Sequence, residues 1–453
     1  MTSKQSESEP GSPGRSFARR KLLGEGAWVV AGRILSVLAA FIGMRLLTEY
    51  LPPGVYGHVG LLLGLTSLGN LLTCMPLSQA AFRFYPEMAQ SNDLTGLRRM
   101  AGTILYQAAL GLLVCIVVVG SVYAYYKNHS AFLYVFLALL TGAEVAQVFE
   151  QNLLGAARRQ RPVAIWQVAV AWGRPFLAIG AVILLGANAT SVFVGYFLAT
   201  AGILVVLRLF SFSFEGISPK TNSKDEAEKQ QLSPTQRKQI LAYAWPLVPL
   251  GIVGWVHALG DRYIIENVIG LEAAGLYIAA YNLIARPYNM AEGVFQQTLL
   301  PAYNQAISEG NNRQEKRLFR TWLLLVTGTV VFGCICVYFL KTWVASLLLA
   351  KAYHSSTVLM PWLGLGFAFL AIAHVFEWRL YSLKETRLVL LGQTIAAIGS
   401  LIVVIPMVVK YKLMGAAMAC PMYYFLYLVT MFVLSHKAIR NHYKTFRSPS
   451  PSN

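Results

Sequence analysis

The sequence predicts an all-α integral membrane protein with about twelve transmembrane helices, arranged as two pseudo-symmetric six-helix bundles with a central cleft. Three observations predict it. Of 453 residues, 56% are hydrophobic and only 13% charged, with a mean hydropathy of +0.52; a soluble domain carries about a quarter charged residues. Apolar runs close to the ~20 residues that cross a bilayer recur along the chain. The second half of the chain also echoes the first. The alternating segments of roughly ten residues that mark a membrane β-barrel are missing from the pattern.

Taken in order, residues 1–25 are polar, rich in Ser, Gly and Pro, and end in Arg15, Arg19, Arg20 and Lys21. The apolar run that follows is too long for a cleavable signal and has no small-residue cleavage site, so the stretch reads as a disordered cytoplasmic tail. Spans are expected near 27–47, 57–80, 100–123, 131–154, 163–185 and 191–209, then 240–259, 273–299, 321–340, 358–380, 389–409 and 413–434. Between the two sets lies a polar segment with Lys220, Lys224, Asp225, Glu226, Glu228, Lys229 and two Ser-Pro steps, the composition of a flexible linker. The expected organisation is a tail at 1–25, a bundle at 26–210, a linker at 211–239, a second bundle at 240–435 and a tail at 436–453.

Charge fixes the expected orientation. With the N-terminus inside, 27 of the 38 Lys and Arg fall in inner segments and 7 in outer ones, while Arg33, Arg83, Arg174 and Arg286 sit within spans. Lys and Arg concentrate in cytoplasmic loops, so both termini are expected in the cytoplasm. The net charge of +18 is then a basic face beside anionic membrane lipids and calls for no nucleic-acid partner. Asn128-His-Ser130 and Asn188-Ala-Thr190 fit glycosylation triplets, which arise often by chance. Cys74, Cys115, Cys334, Cys336 and Cys420 all lie in apolar runs without a CxxC pair. They read as small buried hydrophobes rather than as disulfide or metal ligands.

The internal echo is specific. Ala146-Gln-Val-Phe-Glu150 in span four matches Ala373-His-Val-Phe-Glu377 in span ten, and each is followed by a basic loop and then by Gln167 or Gln393. Gly54-Val-Tyr56 and Gly275-Leu-Tyr277 occupy corresponding places near the second span of each half. Six spans per half is an even number, so the halves share one orientation and are related by an axis along the membrane normal. That is the plan of a transporter whose bundles rock about a central site.

An arginine at the centre of a span costs roughly 2.5–3.5 kcal/mol on insertion scales, so it needs a partner or a wet cavity. Arg286 lies on a stripe with Asn282, Asn289, Gly293 and Gln296, beside Pro287. Such a polar stripe lines either a water-filled cavity or a hydrogen-bonded helix contact. Arg174 shares a face with Gln167, Ala171, Ala178 and Ala181 and precedes Pro175. It either lines the cavity or pairs with a glutamate. Arg33 shares a face with Ser36, Ala40 and Gly43; it either joins that face or snorkels to the inner surface about two turns away.

Glu144 and Glu150 in span four, Glu377 in span ten and Asp261 near the outer end of span seven are the acids that could couple transport to an ion. Glu150 and Glu377 lie near the inner surface, where Arg379 or the loop bases can neutralise them. There is no Walker motif, no zinc-ligand cluster and no Gly-x-Ser-x-Gly elbow. A glycan polymerase or ligase would need a substantial outer loop with acid and base residues. The longest outer segment, near 341–357, has His354 and no carboxylate.

Several segments resemble a known family. Arg45-Leu-Leu-Thr-Glu-Tyr-Leu-Pro-Pro-Gly-Val-Tyr-Gly57 leads to Ala81-Phe-Arg-Phe-Tyr85, and Asp261-Arg-Tyr-Ile-Ile265 precedes Gly270-Leu-Glu-Ala-Ala-Gly-Leu-Tyr-Ile-Ala-Ala-Tyr281. With the six-plus-six plan, these resemble the polysaccharide and O-antigen flippases (Wzx-type) of the multidrug/oligosaccharidyl-lipid/polysaccharide export superfamily, over about 27–434. The resemblance implies a V-shaped pair of bundles and a non-enzymatic task without cofactor or metal. That task is moving an undecaprenyl-diphosphate-linked oligosaccharide across a bacterial inner membrane for O-antigen, capsule or exopolysaccharide assembly. It implies membrane lipids, a polysaccharide polymerase and chain-length proteins as companions. It brings no invariant motif, so the expected substrate-binding residues rest on the spans themselves: Arg33, Gln167, Arg174, Asn282, Arg286, Asn289 and Gln296. Bidentate arginines would hold the diphosphate, and the Asn/Gln stripe would meet sugar hydroxyls.

Rival readings remain open here. A multidrug or cation antiporter of the same superfamily would line its cleft with carboxylates. A peptidoglycan-precursor flippase usually has two more spans than this chain accommodates. A major-facilitator transporter would carry a Gly…Asp-Arg…Gly-Arg loop where this chain reads Tyr85-Pro-Glu-Met-Ala-Gln-Ser-Asn-Asp-Leu-Thr-Gly-Leu-Arg-Arg99. A polytopic polymerase or ligase is the alternative from another class.

Overall fold

The computed structural model describes residues 13–90, 94–127, 131–157, 159–211, 234–245 and 247–447. Every regular element among them is helical: α1 (Pro13–Tyr50), α2 (Pro53–Gln90), α3 (Leu94–Lys127), α4 (Phe132–Ala156), α5 (Gln160–Leu185), α6 (Ala189–Ser211), α7 (Pro234–Ala244), α8 (Leu247–Val268), α9 (Leu271–Ser308), α10 (Asn312–Leu348), a 3₁₀ segment (Lys351–Leu359), α11 (Met360–Ser382) and α12 (Thr386–Arg447). Short turns punctuate them. Gly270, at φ 122°, takes the chain from α8 into α9 through a conformation that other residues resist.

Among the described residues ten helical stretches are long and apolar enough to cross a membrane, and the chain is a multi-pass membrane protein. The sequence suggested twelve, and the difference has a physical cause. The stretch Thr386–His442 counts once, although non-helical Lys412 (φ 52°, ψ −137°) breaks α12 into two arms. Helix α9 is not among the ten; it carries the polar stripe around Arg286, although its 38 residues make a rod of about 57 Å.

The tails are shorter than expected. Helix α1 begins at Pro13, inside the stretch read as disordered. Proline suits the first helical turn, and Ala18 to Leu23 contains good helix formers. Helix α12 likewise runs to Arg447 and α7 starts at Pro234, inside the expected tail and linker. The triplet at Asn128 and most of the linker lie outside the described residues.

Helices α1 to α6 pack on one another through the pairs α1–α5, α5–α6, α2–α4, α4–α6 and α3–α4; α8 to α12 do so through α11–α12, α8–α12, α10–α11 and α9–α11. The third helix of each group is the most exposed. On α3, Tyr106, Val114, Val119 and Val122 are uncovered, as are Leu324, Phe332, Ile335 and Phe339 on α10. Such apolar surface suits hydrocarbon rather than water.

The groups meet through α2, which packs on α8 and α9. Trp255 Nε1 of α8 donates to the Gly64 carbonyl at 2.8 Å, and Tyr263 Oη donates to the Leu61 carbonyl at 2.8 Å. Where α2 starts against the start of α9, Gly57 lies on the Leu271 carbonyl and Gly275 on the Pro53 carbonyl. Only glycines allow backbones that close. A polar latch closes the same end. Arg45 donates to the Leu349 carbonyl, the Ala350 amide donates to Thr48 Oγ1 at 3.2 Å, and Tyr353 Oη donates to the Leu51 carbonyl at 2.8 Å. The buried Tyr353 ring also meets Tyr56 edge-on.

Candidate functional site

Beneath that latch lies a cavity of about 480 Å³ shared by the two groups. Its lining comes from α1 (Ser36, Ala40, Gly43), α4 (Gln147, Gln151), α5 (Gln167, Ala171, Arg174) and α9 (Asn282, Arg286), with Tyr56 and Tyr196 above. Gly43 of α1 sits on the ring of Pro175, so the two helices approach closely just where Arg174 turns inward. None of the lining residues is a carboxylate.

The two arginines of this cavity differ. Arg174 pairs with Glu144 of α4 at 2.7 Å and donates from Nε to Thr200 Oγ1 at 3.0 Å. Glu144 also accepts from Asn70 Nδ2 at 3.2 Å. Both alternatives posed for Arg174 therefore hold together: it lines the cavity and it is neutralised. Arg286 has no carboxylate within ion-pair distance among the described residues.

Of the expected binding residues, Gln167, Arg174, Asn282 and Arg286 line one cavity, while Arg33, Asn289 and Gln296 do not. The guanidinium of Arg33 crosses from α1 to lie in the notch left by Gly293 on α9. Further along the stripe Asn289 is exposed and Gln296 is partly buried, both outside the cavity lining. Gln147 and Gln151 were missed as site residues. Their four-residue spacing put them on one face, but only the cavity that α4 lines together with α1, α5 and α9 shows that this face is its wall.

The acids expected to couple ions all have partners in the protein. Glu150 takes Arg98 Nη2 on both oxygens at 3.0 Å. Glu377 does not pair with Arg379. It accepts from Gln393 Nε2 at 2.7 Å and lies 3.7 Å from His374, while Arg379 bonds Glu315 at 3.0 Å in a buried pair with the Tyr303 hydroxyl. Helical geometry explains the exchange: residues two apart point to different faces. Asp261 is buried in the second group, accepting from Tyr277 Oη at 2.5 Å and Tyr423 Oη at 3.3 Å. His374 contacts Glu292 at 2.7 Å, a pairing between separate helices that no sequence pattern marks.

The profile of the polysaccharide biosynthesis protein family matches residues 22–307. The chain belongs to that family. No curated protein sequence matches it. Among solved structures it is similar to an inward-facing multidrug resistance MATE family transporter of the MOP superfamily (TM-score 0.69, 12% identity, 91% of this chain and 96% of that one). It is similar to the lipid II flippase MurJ in an inward closed conformation (0.64, 12%, 95% and 94%). It is also similar to a MOP superfamily transporter from Pyrococcus furiosus, described with a binding pocket of reverse polarity (0.63, 12%, 93% and 94%). The chain thus has the fold of MOP-superfamily transporters.

Proposed function

We propose that this member of the polysaccharide biosynthesis family flips an undecaprenyl-diphosphate-linked oligosaccharide across the bacterial inner membrane by alternating access, for O-antigen, capsule or exopolysaccharide assembly. The observation that carries the reading is Arg286, an arginine without a carboxylate partner among the described residues, in a cavity shared by both helix groups and lined by no acid. The glycan cannot cross ~30 Å of hydrocarbon unaided. A polar cavity shelters it while the lipid tail stays in the bilayer, and Arg286 meets the diphosphate by charge-assisted hydrogen bonds. Arg33, at the Gly293 notch, stands where the lipid headgroup would pass between α1 and α9. The Lys and Arg excess supports cytoplasmic termini; in that orientation the latched end faces outward and the cavity takes its substrate from the cytoplasmic side. The latch and the α2–α9 crossing are the contacts that must open for release.

An acid-free lining argues against a cation antiporter, which would hold a cationic drug with carboxylates. The test is glycan export in cells lacking the endogenous flippase. Arg286→Ala should insert normally and export nothing, and Arg286→Lys should recover part of the export because it keeps the charge without the guanidinium fork. Normal export from both Arg286→Ala and Arg174→Ala would refute the reading. Conversion of a lipid-linked glycan by the detergent-solubilised protein, with no vesicle to cross, would instead favour a polymerase or ligase.

A further inference from the structure

The α4 wall of the cavity is built unlike the α9 wall. Gln147 and Gln151 stand one turn apart on α4 and both line the cavity, with Ser36 of α1 beside them. Gln147 is only 6% exposed. Its amide oxygen has no hydrogen-bond partner among the described residues, nor has the amide nitrogen of Gln151 or the hydroxyl of Ser36. Buried polar groups are nearly always paired, and each exception costs stability. Three exceptions lining one cavity, two on α4 and one on α1, are groups available to a ligand.

The chemistry of that ligand follows from what the wall lacks. Arg174, which lines the cavity beside it, is paired at 2.7 Å with Glu144 outside the lining, so the two charges cancel. What remains is an uncharged set of donors and acceptors. An amide offers both roles, as does the hydroxyl of serine, and sugar hydroxyls likewise donate and accept. An acidic sugar would bring a carboxylate to a wall with no free cation and with Glu144 close behind, and a buried unpaired charge is strongly disfavoured.

On the flippase reading above, we propose that Gln147, Gln151 and Ser36 form a subsite for the sugar next to the diphosphate, and that this sugar is neutral. The cavity's 480 Å³ lies within the range of pockets that enclose a small ligand. It accommodates a diphosphate at Arg286 and the adjoining sugar on the facing wall, with the rest of the glycan towards the open side. Specificity is thereby divided between the walls: α9 reads the charge common to all such carriers, and α4 reads the first sugar.

The experiment measures binding to the purified full-length protein in lipid nanodiscs by native mass spectrometry. Three probes are used: polyprenyl diphosphate, the same lipid bearing one neutral hexose, and the same lipid bearing one hexuronic acid. The wild type should bind the neutral glycolipid about tenfold more tightly than the bare lipid, as expected for the loss or gain of one or two hydrogen bonds, and should gain nothing from the hexuronic acid. Gln147→Leu and Gln151→Leu should bind the bare lipid as the wild type does and lose the gain from the hexose. Gln147→Met, closer in shape, should behave the same way and guards against mispacking. A gain that survives in all three variants, an equal loss for bare and sugar-bearing lipid, or a preference for the acidic sugar would overturn the subsite. If the wild type binds bare lipid but gains nothing from the hexose, the subsite alone fails. If it binds none of the three, the flippase reading fails with it.

Discussion

Arg174 and Arg286 share a cavity but have different obligations, and stability should separate them. Arg174 and Glu144 retain 24% and 12% side-chain exposure, so their pair is partly shielded from water. Removing one partner leaves the other poorly solvated. Arg174→Met should therefore destabilise the protein by about 1–3 kcal/mol, less than for a fully buried pair, and Arg174→Met with Glu144→Gln should recover most of that loss. Arg286→Gln leaves no carboxylate behind and should cost less than about 1 kcal/mol while removing export. Thermal unfolding in detergent, read beside export, checks both; an Arg286 variant that melts as low as Arg174→Met would mean that Arg286 is structural. Both arginines were legible in the sequence because a charge inside an apolar run is a local signal. The Glu144 partner was not, since it lies on another helix. Nor was the role of Gln147, whose side chain looks like any helical polar residue until the neighbours of α4 are known.

At the scale of elements, α2 and α9 show what a repeat can reveal. The echo of Gly54-Val-Tyr56 in Gly275-Leu-Tyr277 marked equivalent places in each half. The structure shows those places pressed together, with Gly57 and Gly275 on opposing backbone carbonyls. A side chain at either position forces the helices apart. Gly275→Val and Gly57→Val should each cost about 1–3 kcal/mol by overpacking. The double variant should cost less than the sum, because either one already opens the crossing. A double-variant cycle of unfolding midpoints measures this, and strict additivity would mean that the two glycines do not share one contact. The polar stripe of α9 was read correctly as a stripe but too generously as a site. Periodicity gives the direction of a face and not its neighbours: Asn282 and Arg286 line the cavity, whereas Gly293 further along meets Arg33 of α1.

For the whole molecule, the proposed alternating access has the latched end open while the other end closes, and in that scheme the latch sets the balance between states. Its parts come from both groups: Thr48 and Leu51 from the first, Ala350 and Tyr353 from the second. Tyr353 is fully buried, and its hydroxyl is the donor that the Leu51 carbonyl loses in Tyr353→Phe. The ring and its edge contact with Tyr56 persist in that variant, so the fold should survive. One hydrogen bond contributes about 1 kcal/mol, and an unpaired buried carbonyl costs at least as much. The equilibrium should thus move about fivefold or more towards the open latch. Tyr50 and Lys351 are exposed on either side of the latch, and spin labels at these positions report its width. In nanodiscs, Tyr353→Phe should enlarge the long-distance population over the labelled parent. Added polyprenyl-diphosphate glycan, which on the proposed function bridges walls from both groups in the latched state, should shrink it again, because a ligand favours the state it binds more tightly. Unchanged distances in the variant would show that this hydrogen bond does not govern the outer closure. A change that the glycan fails to reverse would show that the cavity and the latch are not coupled.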